Sequence, residues 1–305
     1  MATTVKRSPD VDVGGLQARL RKTVEGEVRF DPGTRAIYST DSSNYRQLPI
    51  GVVIPKSLDD VLATVEVCRD HDAPILSRGG GTSLAGQCCN TAVIIDFSKY
   101  LNRILDIDRD RKLARVEPGT ILDDLRNLGE SAEPRVTFGP TPSTHDHCTI
   151  GGMIGNNACG NYSIMSEFYG AGPRMAHNVA EMEVLTYDGL RMRVGPTSED
   201  ELERIVAEGG RRGEIYGMLR HLRDRNADLV RSRFHEFPRR VSGYNLDGLL
   251  PEKGFNLAYA LVGTESTCVT VLEARVHLVE SPAARSLVVI GFEDIYAAAA
   301  QMCAA

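Results

Sequence analysis

The sequence predicts a mixed α+β protein in which residues 50–280 form one unit with two lobes, and three observations carry that expectation. A strand, a helix and a second strand follow one another from Gly51 to Ser77, a glycine run interrupts the chain directly after them, and antiparallel hairpin signals recur further on. Gly51-Val-Val-Ile54 is short and β-branched, as a buried strand is. Ser57 suits the N-cap of a helix with Leu58, Val61, Leu62, Val65 and Cys68 at helical spacing. Pro74 to Ser77 and Ala92 to Phe97 give the next strands. Ahead of this core, residues 14–25 read as a short amphipathic helix and Asp31 to Pro49 as an irregular polar approach.

Further along, Ile104 to Val116 reads as a hairpin and Thr120 to Leu128 as a short helix. Asp188-Gly189 is a tight-turn pair that joins Asn178–Tyr187 to Leu190–Val194. Ser198 to Phe234 is a charged helical region whose charges read as a solvated face. Leu257–Val262, Val269–Val279 and Ser286–Phe292 read as strands. The last has little chain after it to pair with, so the sequence is expected to be cut short inside a further domain.

The chain has 305 residues, 42% of them hydrophobic and 25% charged, the balance of a globular protein able to bury a core. A net charge of −6 with scattered cations excludes the basic stripe of a nucleic-acid binder, and no polybasic run suggests an anionic membrane surface. The N-terminus to Asp12 is polar, and no apolar run approaches the length of a membrane span, so the expected compartment is cytoplasmic. Seven cysteines without C-x-x-C spacing argue against a disulfide framework and against an iron-sulfur or zinc site built within this chain.

Two clusters carry the chemistry. Arg78-Gly-Gly-Gly-Thr-Ser-Leu-Ala-Gly-Gln87 begins where a strand ends. Glycine permits positive φ and leaves backbone amides bare, and successive N–H groups in such a turn form a nest for oxyanions. Thr82 and Ser83 add hydroxyl donors, and Arg78 adds positive charge. The alternative is a glycine-rich surface turn. The run matches neither a Walker A loop nor G-x-G-x-x-G, so a different nucleotide cradle is implied. The second cluster, Phe138 to Gly160, holds small, polar and glycine residues at a density that suits a loop lining over a flat polar ligand. His145, His147 and Cys148 within it suggest a metal only superficially, because no fourth ligand is near; loop architecture or hydrogen bonding around a cofactor is the reading.

Together, in this order, Arg-Gly-Gly-Gly-Thr-Ser-Leu-Ala-Gly and Thr-Ile-Gly-Gly-Met-Ile-Gly-Asn-Asn-Ala-Cys-Gly resemble the FAD-binding domain of the vanillyl-alcohol oxidase and p-cresol methylhydroxylase superfamily. The 2-hydroxyacid dehydrogenase branch resembles the chain more closely, and Arg239 to Leu250 is similar to its large members that carry an iron-sulfur region. The resemblance implies a two-lobed p-cresol-methylhydroxylase-type FAD-binding domain over residues 46–282, a lead-in over 1–45, and the start of a truncated cap over 283–305. It implies that Arg78, Gly79, Gly80, Gly81, Thr82, Ser83, Gly86 and Gln87 hold the FAD pyrophosphate side. Ser143, Thr149, Ile150, Gly151, Gly152, Asn156, Asn157 and Gly160 would border the flavin side, with Glu265 contributing. Tyr244 and Asn245 are candidates for packing against FAD.

Some relatives attach flavin covalently through a histidine just after the glycines; Thr82 stands there, so the implied FAD is non-covalent. Where relatives often read Gly-Ser/Thr-Glu-Gly-Thr-Leu-Gly, this chain has Gly263-Thr-Glu-Ser-Thr-Cys-Val269. The implied activity is hydride transfer from a D-2-hydroxy acid to flavin, with an iron-sulfur domain or subunit as electron acceptor. The substrate groups would lie in the cap, so no catalytic residue is assigned. The alternative is a binding module without turnover of its own.

Overall fold

The computed structural model describes residues 11–160, 168, 170–235, 237–284 and 286–302. Most of the polar N-terminus and Cys303 therefore lie outside the described residues. Helix α1 (Val13–Thr23) starts at Asp12, whose carboxylate accepts the Gly15 amide at 3.0 Å. Strand β1 (Glu27–Arg29) and the short helix α2 (Pro32–Ile37) follow, so the predicted irregular approach holds one helical turn, capped by Asp31. Strands β2 (Gly51–Ile54), β3 (Ile75–Arg78) and β4 (Val93–Asp96), with helix α3 (Leu58–Asp70) capped by Ser57, form the expected βαβ unit. The sheet order is β1-β2-β4-β3: β4 lies parallel between β2 and β3, and β1 pairs antiparallel to β2. Strand β3 is thus an edge, and the glycine run leaves from its end.

The second sheet is antiparallel, in the order β5-β6-β10-β8-β9. Its strands are β5 (Ile104–Asp108), β6 (Leu113–Val116), β8 (Val179–Leu185), β9 (Arg191–Val194) and β10 (Thr270–His277). Along β10 buried and half-buried residues alternate, as period-2 geometry requires for a sheet with one face in the core. Helix α4 (Leu122–Glu130) and strand β7 (Val136–Thr137) lead into helix α5 (Ile150–Asn156), and α6 (Met175–Asn178) feeds β8. The charged region is two helices, α7 (Glu199–Glu208) and α8 (Gly210–Arg233), broken at Gly209 and Gly210, which have φ of 71° and 63°.

Three expectations are corrected. Leu257-Ala-Tyr-Ala-Leu261 is helix α9, not a strand: Asn256 caps it by accepting the Tyr259 amide at 3.0 Å, and a short apolar run does not distinguish the two states by periodicity. Ser286 to Phe292 forms no strand among the described residues; Leu287 to Ile290 are exposed there, and helix α10 (Ile295–Met302) follows. The stretch Val269–Val279 divides into β10 and β11 (Val279–Glu280), the latter leaving the second sheet to pair with β7.

The lobes meet across a shared apolar layer. Val61 and Val65 of α3 and Ile95 and Phe97 at β4 pack with Leu185 of β8 and Leu272 of β10, all nearly or fully removed from solvent. Burying each of these side chains contributes roughly 1.5–3 kcal/mol. That layer fixes the glycine run of the first lobe against the second.

Candidate cofactor site

The glycine run turns sharply off β3, with Gly81 at φ 67° and Gly86 at φ 81°, in the left-handed region that favours glycine. It also lies directly on the second cluster. A β-carbon on Gly79 would collide with Thr149 Oγ1, and one on Gly80 would collide with the His147 carbonyl oxygen. Across the site, a β-carbon on Gly151 would come within 2.8 Å of Pro118. Gly79 and Gly80 are therefore dictated by the close approach of the second cluster, and Gly151 by the close approach of Pro118.

Between them lies a cavity of about 420 Å³, inside the range of small-molecule sites. Of the residues singled out in the sequence, Arg78, Gly79, Gly80, Gly81, Thr82, Ser83, Gln87, Ser143, Thr149, Gly151, Gly152, Asn156 and Glu265 border it. Gly86, Ile150, Asn157 and Gly160 do not border it. Ile150 is wholly buried core, while Gly160 packs on the Thr141 carbonyl. Asn157 closes α5 with φ 54°, and its Oδ1 accepts the Ala176 amide at 3.0 Å. Tyr244 and Asn245 are also elsewhere: the Tyr244 hydroxyl pairs with Thr267 Oγ1 at 2.6 Å, and buried Asn245 donates to the Val262 carbonyl at 2.7 Å.

The second cluster is not all loop. Thr149 caps α5 by accepting the Gly152 amide at 3.2 Å, and Ile150, Met153 and Ile154 bury one face, so packing offsets the poor helix propensity of Gly151 and Gly152. Sequence reasoning missed the apolar wall of the cavity, made by Phe97, Met153, Ile154, Leu261 and Val271. Met153 and Ile154 sit inside the quoted motif and were legible by position; Val271 lies far off in sequence and has no local signal.

Arg78 is already engaged by the protein. Its guanidinium donates to the carbonyls of Thr40 at 2.8 Å, Cys88 at 3.0 Å and Tyr38 at 3.3 Å, so it braces the loop as well as charging it. The amides of Gly80, Gly81 and Thr82 have no protein acceptor among the described residues. Three consecutive free N–H groups beside a cavity match the anion nest that a pyrophosphate needs.

At the polar end, Glu265 is half-buried, and Asn156 Nδ2 and Gln87 Nε2 donate to its Oε1 at 3.1 and 3.4 Å. Burial raises its pKa, and these two hydrogen bonds only partly offset that. Glu265 and Ser266 have φ of 51° and 61°. The serine in place of the relatives' glycine therefore holds a left-handed backbone at some cost.

The histidines of the second cluster serve the loop. His145 Nδ1 lies 2.6 Å from Asp123 Oδ2, and His147 Nδ1 2.7 Å from Asp146. No group of His, Cys, Asp and Glu among the described residues has the arrangement of a metal site. Burial pushes the cavity-lining thiols of Cys88 and Cys148 up to about 11, which keeps them protonated and unreactive.

Residues 49–195 match the family model described as FAD binding domain. D-2-hydroxyglutarate dehydrogenase of Pseudomonas putida is 32% identical over 272 residues, covering 88% of this chain and 26% of that protein. The Escherichia coli protein of the same name is 29% identical over 284 residues, covering 92% and 27%. Glycolate oxidase subunit GlcD of Bacillus subtilis is 28% identical, covering 90% and 47%. The chain thus spans about a quarter of the length of those dehydrogenases. Among solved structures, p-cresol methylhydroxylase with substrate bound superposes with a TM-score of 0.58 at 16% identity, covering 89% of this chain and 44% of that one. Alkyldihydroxyacetonephosphate synthase gives 0.59 at 16% identity, covering 88% and 44%. Residues 49–195 thus form a FAD binding domain, the chain shares the fold of p-cresol methylhydroxylase, and its cofactor is FAD.

Proposed function

We propose that this chain is the FAD-holding part of a dehydrogenase that oxidises a D-2-hydroxy acid, with residues 46–282 as the cofactor-binding unit and 283–305 as the start of a cap. The observation that carries the reading is the row of amides from Gly80 to Thr82, without a protein acceptor among the described residues, in a loop that borders a cavity with an apolar wall. In this reading the amides hold the pyrophosphate, the wall of Phe97, Met153, Ile154 and Leu261 excludes water from the ring system, and Gln87, Asn156 and Glu265 orient the polar edge. Thr82 offers no nucleophile comparable to an attaching histidine, which supports a non-covalent cofactor. The chemistry gained on binding is that of the isoalloxazine, a two-electron acceptor suited to the C2 hydride of a hydroxy acid. Substrate recognition and the general base are assigned to the cap, and electrons are passed to an iron-sulfur domain or subunit.

The similarity to D-2-hydroxyglutarate dehydrogenases and a glycolate oxidase subunit supports this substrate class. No helix among the described residues is long and apolar enough to cross a membrane, and six described cysteines are free; both fit a cytoplasmic setting. The test is anaerobic addition of D-2-hydroxyglutarate or D-lactate to the FAD-loaded chain, alone and with the cap supplied. Bleaching of the flavin bands once the cap is present is expected. Bands that persist with the cap supplied would contradict dehydrogenase function and leave a binding module.

A further inference from the structure

Residues 38–46 precede the span 49–195 that matches the family, and in sequence they read as a polar approach. In the structure they form a strap over the glycine loop. Thr40 and Arg46 pair in an isolated antiparallel bridge, and Asp41 Oδ1 accepts the Ser43 amide at 2.8 Å, which closes the strap into a turn. The other Asp41 oxygen accepts the Cys88 amide at 3.2 Å. Ser42 donates its amide to the Gly81 carbonyl at 3.1 Å and its hydroxyl to the same oxygen at 3.3 Å. The segment from Gly81 to Cys88 is therefore held at both ends by adjacent residues of the strap.

The Gly81–Thr82 peptide is trans, so the Gly81 carbonyl and the Thr82 N–H point in opposite directions. Anchoring that carbonyl on Ser42 turns the Thr82 N–H away from the strap, and Thr82 borders the cavity. We propose that Asp41 and Ser42 are positioning residues for the cofactor, fixing the loop so that the Thr82 amide is aimed at the FAD pyrophosphate. This rests on the FAD reading of the cavity.

Titration of the purified chain with FAD, followed by flavin fluorescence, tests both ideas separately. If the wild type fails to bind FAD, the cofactor reading falls and takes the strap with it. Given binding, Asp41→Ala is expected to weaken FAD and its competitor ADP about tenfold each, the scale of lost hydrogen bonds to a charged group. Riboflavin, which lacks the pyrophosphate, should bind the variant as it binds wild type. Asp41→Asn keeps one acceptor oxygen and should recover part of the loss. Unchanged FAD affinity in folded Asp41→Ala, or an equal loss for riboflavin, overturns the positioning role. If circular dichroism shows Asp41→Ala unfolded, Ser42→Ala takes its place: a loss of about threefold for FAD but not riboflavin supports the strap, and no loss overturns it.

Discussion

Gly80 carries two constraints at once, because its amide is free beside the cavity while its α-carbon lies against the His147 carbonyl. From the sequence, a valine there is expected to abolish FAD retention by filling the place of the pyrophosphate. The structure supplies an earlier obstacle, since any β-carbon strikes the second loop before it meets a ligand. Gly80→Ala should therefore destabilise the protein by about 1–3 kcal/mol in urea unfolding without FAD. A variant that unfolds like wild type but loses FAD would return the constraint to the ligand. The positive-φ glycines of this loop were legible in the sequence as a backbone device. Their partner residues were not, because no local signal says that Thr149 and His147 come to rest on them.

At the scale of elements, the strand-rich frame was readable where period and caps agreed, as with Ser57 before α3 and Asp188-Gly189 between β8 and β9. It was misread at α9, where an apolar pentapeptide fits either state and a cap decides. Helix α9 also meets α6 in a half-buried polar junction. Arg174 Nη2 lies 3.0 Å from His177 Nε2 and donates to the Tyr259 hydroxyl at 2.9 Å, and the His177 and Tyr259 rings lie 5.8 Å apart. A guanidinium only donates, so Nε2 accepts and the ring is neutral. Burial, with the Arg174 charge beside it, pushes the His177 pKa down from 6.5 to about 4. The folded protein thus binds this proton less tightly than the unfolded chain, and stability present above pH 6.5 is lost as pH falls toward about 4. The melting temperature should decline across that window in wild type and decline less in His177→Gln. Identical pH profiles for the two proteins would contradict a neutral, half-buried histidine.

Over the whole molecule, the two sheets are joined by the layer of Val61, Val65, Ile95 and Phe97 against Leu185 and Leu272, and the cavity opens beside that seam. Residues 79–88 bring backbone donors, residues 143–156 bring the capped helix α5, and β10 brings Val271. No one stretch of sequence contains such a site. The two glycine motifs announced it, while its apolar wall and its strap depend on how distant segments pack. The central claim is that this cavity holds FAD reversibly through the Gly80–Thr82 amides. The measurement that tests it most directly is a visible spectrum of the purified chain after FAD addition and gel filtration, repeated on the acid-precipitated pellet. Flavin bands that stay with the folded protein at one FAD per chain and leave the pellet colourless are predicted. Bands that elute entirely with free FAD, or a pellet that stays yellow, would contradict it.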